Sequence, residues 1–152
     1  DYNRAFEDVE GELERLVAEG FMTKREAKGV YTDRLKSFVK TDFFARMRAS
    51  KDLRREQKFL AAVKDLDLPQ ELKNVTGGDG MIQGIADCIF KEEDGWVLVD
   101  YKTDNFRSRE DMNKYGTQLA LYKAAFELIY GEKVKSSYIY SFKLGEGAEF
   151  KL

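Results

Sequence analysis

Along the first third of the chain, apolar positions recur at helical spacing. Phe6, Val9, Leu13, Leu16 and Val17 predict a helix over residues 2–19, with Gly20 ending it. Thr23 followed by Glu26 has the form of a capping box and opens a second helix over residues 24–35. A third, over 41–49, carries Phe43, Phe44 and Met47 on its apolar side. The pattern then tightens. The run Phe59 to Val63 suggests a strand, with helix a fair competitor at that length. Residues 65–79 read as a loop broken by Pro69 and Gly77-Gly78. Two apolar strands then span 81–103 around a turn at Asp94-Gly95. A long helix over 109–130 has a stripe of Leu119, Tyr122, Ala125, Phe126 and Ile129, with Gly131 as its C-cap. A strand over 136–142 and a short closing hairpin or tail over 145–152 complete the chain. This order predicts one α/β domain, a small mixed sheet flanked by helices (51–152) behind an N-terminal helical cap (1–50).

The hairpin carries charge where apolar strands should carry none, at Asp87, Asp100 and Lys102. A turn symmetric about Asp94-Gly95 pairs residues whose numbers sum to 189, setting Asp87 opposite Lys102 and Asp100 opposite Ile89. Strict alternation then puts Asp87, Asp100 and Lys102 on one face.

Composition narrows the chemistry. The 152 residues, 43% hydrophobic with a single Pro, suffice for an ordered core. No apolar run approaches the ~20 residues of a membrane helix. The chain has no histidine, which excludes Ser/Cys–His catalysis and His-ligated zinc within these residues. A single cysteine, Cys88, cannot by itself hold an iron–sulfur cluster, and reads as a buried strand thiol. Net charge is −2, but residues 24–58 hold twelve Lys/Arg against five Asp/Glu, leaving the remainder acidic. That asymmetry suits a polyanion-facing edge beside an acidic site, or simply solvated helix faces.

Two carboxylates from adjacent strands hold hard cations such as Mg²⁺, with waters and substrate phosphates filling the coordination shell. A lysine two residues beyond one of them can offset charge in a transition state. The competing account, a buried salt bridge kept for stability, is weak, because apolar replacements of such pairs are often no less stable. Gln118 and Tyr122 lie four apart on one helix face and can reach one target. Glu56, among Arg54, Arg55 and Lys58, taken alone is a surface ion pair.

The segments IQGIADCIF, GWVLVDYKTDNF and YGTQLALYKAAFELIYGEKV, with RREQKF before them and FMTKREA in the helical front, resemble the ordered motifs of the PD-(D/E)XK nuclease superfamily, RecB-like branch. The likeness is closest to the nuclease domains of AddA-type subunits of AddAB helicase–nucleases. It implies a restriction-endonuclease-like fold and a Mg²⁺-dependent deoxyribonuclease, with Mn²⁺ as a substitute and no iron–sulfur cluster. It also implies a place in an ATP-dependent helicase–nuclease of double-strand break repair and recombination in the bacterial cytoplasm. Its DNA would be single strands delivered by the motor, and its partner an AddB-like subunit. The chain opening at Asp1 fits a piece of such a longer protein. By resemblance Asp87, Asp100 and the backbone carbonyl of Tyr101 are metal ligands and Lys102 is the catalytic lysine. Glu56 then assists metal or water positioning, and Gln118 and Tyr122 position the scissile strand and the catalytic groups. Nucleases of this branch also use a histidine from an N-terminal helix as a ligand, and this chain supplies none. Two alternatives share the fold: a DNA-binding or docking module of little or no activity, and a stand-alone exonuclease.

Overall fold

The computed structural model describes residues 1–76 and 79–150, with the side chains of residues 75 and 76 left out. The expected Gly77-Gly78 breaker and the last two residues of the closing segment lie outside the described residues. The chain forms two compact units, Asp1–Ala49 and Ser50–Leu152.

The first unit is helical: α1 (Tyr2–Glu7), α2 (Val9–Ala18), α3 (Lys24–Lys28), α4 (Thr32–Val39) and α5 (Asp42–Ala49). The single helix expected over 2–19 is therefore two. Asp8 stands between them in extended backbone (φ −154°), closing α1 and opening α2. Phe6, expected in the buried stripe, is 45% exposed. The capping box is present, with Thr23 Oγ1 accepting from Glu26 N–H at 3.2 Å and the Glu26 carboxylate accepting from Thr23 N–H at 2.7 Å. Its helix stops at Gly29, well short of residue 35, and α4 restarts beyond Tyr31. Phe44 and Met47 are buried as α5's apolar side, with Phe43 only half-buried.

In the second unit β1 (Leu53–Ala62) leads through a short 3₁₀ turn, Val63–Asp65, to α6 (Gln70–Thr76). The expected loop is therefore partly helix, and Pro69 starts that helix rather than breaking one. Its carbonyl accepts from Leu72 and Lys73 N–H, while its own missing N–H costs nothing at a helix start. Then come β2 (Met81–Glu92), β3 (Gly95–Lys102), a 3₁₀ stretch at Arg109–Tyr115, α7 (Gly116–Tyr130), β4 (Val134–Ser141) and β5 (Glu146–Phe150). The helix expected over 109–130 thus begins with a 3₁₀ stretch before Gly116. The strands form one mixed sheet in the order β1-β2-β3-β4-β5, antiparallel except for the parallel pair β3–β4, which α7 connects. The architecture is that of the restriction-endonuclease-like fold.

Helix α7 covers one face of this sheet. Leu119 and Phe126 pack with Ile89, Trp96, Leu98 and Ile139, while Ala124 and Ala125 pack with Phe59, Ala61 and Val63 of β1 and the turn after it. Burial therefore spans a broader arc than the single stripe expected, and Ile129 falls outside it at 43% exposed. Gly131 ends the helix in the left-handed region (φ +66°), as its position suggests.

Candidate active site

The hairpin exists, but its register differs from the symmetric expectation. Cys88 pairs with Val99 and Glu92 with Gly95, so partners sum to 187 and the two-residue turn is Glu93-Asp94. Gly95 is the first residue of β3 rather than part of the turn. It has φ +143°, and a Cβ there would lie 3.2 Å from the Lys133 carbonyl, so glycine is needed for the close approach to β4. Lys135 braces the turn, with Nζ 2.6 Å from Glu92 and also paired to Asp94. Continued one residue past Cys88–Val99, this register sets Asp87 across from Asp100, not from Lys102.

Strict alternation also fails at one place, and that place builds the site. Arg54 of β1 lies over the Trp96 ring (4.7 Å), on the α7 side, and so does Phe59, against Tyr122 at 4.8 Å. An even and an odd residue share one side because Glu56 between them takes φ +50°, uncommon for a residue with a Cβ. The β1–β2 ladder runs from Leu53–Phe90 to Ala62–Met81 but omits Glu56 and the residue opposite it, Asp87. The two strands thus switch faces together at Glu56 and Asp87. Such irregularities re-aim side chains, and they recur beside active sites.

At that switch the Asp87 carboxylate turns toward the neighbouring strand, where Oδ2 accepts the N–H of Tyr101 at 2.8 Å. In an extended strand the N–H and C=O of one residue point to the same side. The Tyr101 carbonyl is therefore directed to the same edge of β3 as Asp87. Asp100 is 4% exposed, and its Oδ2 is buried without an aligned hydrogen bond, although Lys102 Nζ lies 2.7 Å away. Lys102 in turn donates to Gln118 Oε1 (3.4 Å), and Gln118 Nε2 donates to the Tyr122 hydroxyl (2.9 Å). The parallel β3–β4 connection is what brings these together, since α7 must lie back across the face from which Lys102 projects.

Burial pushes the Asp100 carboxyl above its ordinary pKa; Lys102 opposes this, and Asp87 and Asp104 add to it. For Lys102, burial pulls downward, but the Asp100 carboxylate outweighs it and the ammonium ends above its ordinary value. Both shifts favour retaining protons, the behaviour of a dry pocket with surplus negative charge.

Of the residues singled out in the sequence, Asp87, Tyr101, Asp100, Lys102, Gln118 and Tyr122 are thus contiguous. Glu56 lies across from Asp87 in register, but its side chain is exposed. Among the described residues no three Asp, Glu, Cys or His side chains converge as a metal-binding group. The pair that does meet still suits a hard dication, which takes one or two carboxylates and completes its shell with water and phosphate oxygens. The unmatched buried oxygen of Asp100 and the all-oxygen donor set fit Mg²⁺ or Mn²⁺ rather than zinc.

Two neighbours of this site escape the sequence reading. The Tyr115 ring centroid is 4.3 Å from Lys102 Nζ, and its hydroxyl donates to Asp104 Oδ1 at 2.8 Å. Both lie within the quoted motifs, as the last residue of DYKTD and the residue before GTQLALY, but neither breaks a hydropathy pattern.

A family model for the PD-(D/E)XK nuclease superfamily matches residues 2–149. Curated relatives named as ATP-dependent helicase/nuclease subunits are 36% identical in Thermoanaerobacter sp. (99% of this chain), 35% in Clostridium novyi (95%) and 36% in Acetivibrio thermocellus (93%). The chain spans 12% of the length of each of these relatives. With its family's fold and nearly its whole length matched, the chain belongs to the PD-(D/E)XK nuclease superfamily.

Proposed function

We propose that this chain is a metal-dependent deoxyribonuclease domain that hydrolyses phosphodiester bonds. The observation that carries the reading is the continuous series Asp87, Tyr101, Asp100, Lys102, Gln118, Tyr122, in which each member is bonded to, or adjacent in the strand to, the next. Asp87, Asp100 and the Tyr101 carbonyl would hold Mg²⁺, with Mn²⁺ as a substitute. When bound, such an ion lowers the pKa of a coordinated water and offsets charge on a phosphoryl oxygen.

The protein's own groups do the rest. Lys102 stays protonated beside Asp100 and presents a fixed positive charge to the phosphate as charge builds on it. Gln118 and Tyr122 hold that ammonium in place from α7 and limit its swing. Asp87 pins the end of β3 through Tyr101, fixing the spacing between the two carboxylates. Glu56, at the face switch, would help to place the ion or its water.

The relatives' names support a wider setting: a piece of an ATP-driven helicase–nuclease acting in double-strand break repair and recombination in the cytoplasm, beside an AddB-like subunit. Its substrate would be single strands fed by the motor, so the domain's net charge need not be basic.

The test is cleavage of labelled single-stranded DNA by the purified 152-residue chain in millimolar Mg²⁺ or Mn²⁺. Asp100→Ala and Lys102→Ala are expected to remain folded by circular dichroism and to lose cleavage by a factor on the order of 10² or more. Full activity in either variant overturns the mechanism. If the unaltered chain neither binds metal nor cleaves, a docking role for the same fold is the better reading.

A further inference from the structure

We propose that Tyr115, held by Asp104, is a positioning residue for Lys102; this rests on the nuclease reading above. A lysine ammonium is a point charge on a flexible four-carbon stem, so its location depends on what surrounds it. Asp100 draws it from 2.7 Å and Gln118 accepts from it across a long 3.4 Å, and these alone leave the ammonium free to collapse onto the carboxylate. The Tyr115 ring supplies a third attraction. Its centroid is 4.3 Å from Nζ, within the ~6 Å over which a ring face attracts a cation. A ring face attracts the charge without fixing the direction of any N–H. The ammonium is therefore steadied while its protons can still turn to a phosphate oxygen.

The ring itself is fixed on two sides. Its hydroxyl donates to Asp104 Oδ1 at 2.8 Å, and Asp104 sits two residues beyond Lys102, at the end of β3. Phe106 packs edge-on against it, with ring centroids 6.0 Å apart. The bond to Asp104 thus ties the 3₁₀ stretch ahead of α7 to the strand that carries Lys102. Lys114 approaches the same assembly, 3.6 Å from Asp104 and 5.0 Å from the Tyr115 ring, and is far more exposed than Lys102.

The test uses Tyr115→Leu, which removes the ring, and Tyr115→Phe, which keeps it and removes only the hydroxyl. On single-stranded DNA, Tyr115→Leu is expected to lower kcat ten- to a hundredfold with KM within twofold, and Tyr115→Phe to recover most of that loss. A second readout needs no catalysis: melting temperatures of Tyr115→Leu, Lys102→Met and the double variant in EDTA. Contact between ring and ammonium makes the double variant's shift smaller than the two single shifts added. Additive shifts overturn the proposal, and so does wild-type kcat in Tyr115→Leu. If the unaltered chain does not cleave, the nuclease reading fails and the melting cycle alone decides whether the ring holds Lys102.

Discussion

The carboxylate of Asp87 accepts the backbone N–H of Tyr101 at 2.8 Å, serving in the gap between β2 and β3 as a ladder carbonyl does elsewhere. One side chain thus has two duties, closing the sheet and presenting a charge, and substitution separates them. Asp87→Asn keeps an acceptor and loses the charge. It should melt close to wild type yet bind Mg²⁺ at least tenfold more weakly by calorimetric titration. Asp87→Ala loses both and should cost about 1–2 kcal/mol of stability as well, from the unmade bond. Equal Mg²⁺ affinity in Asp87→Asn would remove Asp87 from the ligand set.

The Asp100–Lys102 pair makes a pH-dependent prediction for the metal-free protein. Burial raises Asp100, so its contribution to stability is fully present below the unfolded value of about 3.9 and is lost as pH rises through its higher folded value. Lys102 offsets that loss at neutral pH. Lys102→Met alone should therefore destabilise by about 3 kcal/mol at pH 8 in EDTA, with the deficit shrinking toward pH 4 as Asp100 protonates instead. Asp100→Asn combined with Lys102→Met should restore wild-type stability or exceed it. Urea melts at both pH values decide this, and a pH-independent deficit would contradict it.

Gly84 faces the Phe59 ring so closely that an added Cβ would sit 2.3 Å from Cζ. Phe59 is buried and edge-packed on Tyr122, so the displacement passes to the residue that holds Gln118. Gly84→Ala should cost about 1–3 kcal/mol and slow cleavage. Adding Phe59→Leu, which vacates the space, should recover most of the stability. No recovery would mean that the strain lies in the backbone of β2.

Much of this arrangement is legible in the sequence. Asp87, Asp100 and Lys102 stand out because charges interrupt apolar strands, and Gln118 and Tyr122 because four residues make one helical turn. The register is not legible, because the Asp94-Gly95 signal places glycine in the turn. The chain instead uses that glycine one step later, where β3 passes close to Lys133. Nor is the face switch. Strand periodicity assumes every residue is extended, and nothing in RREQKF marks Glu56 as left-handed. The wrong expectation for Asp87's partner still gives the right company, because a register error of two preserves side-chain parity. Asp8 and Gly29 divide helices for a similar reason: apolar spacing runs on past a break that only backbone geometry sets.

Glu56 tests whether that geometry or the carboxylate matters. A left-handed residue with a Cβ costs about 1–2 kcal/mol, which glycine relieves while adding some backbone freedom to the unfolded chain. Glu56→Gly should therefore stay within about 1 kcal/mol of wild type, and the β-branched Glu56→Val should fall below it by more. A drop in cleavage for Glu56→Gly at unchanged melting temperature assigns a role to the carboxylate. Unchanged cleavage leaves Glu56 as a backbone device alone.

The single parallel pairing in the sheet carries a consequence for how the protein is made. β2 and β3 meet across a two-residue turn, whereas β4 can join β3 only after the whole of α7 has been placed. Loop-closure entropy orders these events, so the two carboxylates face each other early and the lysine gains its helix-borne neighbours late. Pulse-labelled hydrogen exchange during refolding should protect the amides of 88–99 before those of 134–141. On that schedule a newborn chain passes through a stage with its acids assembled and its lysine still untethered. A dication reaching it then would stabilise the half-built sheet before there was any power to cut.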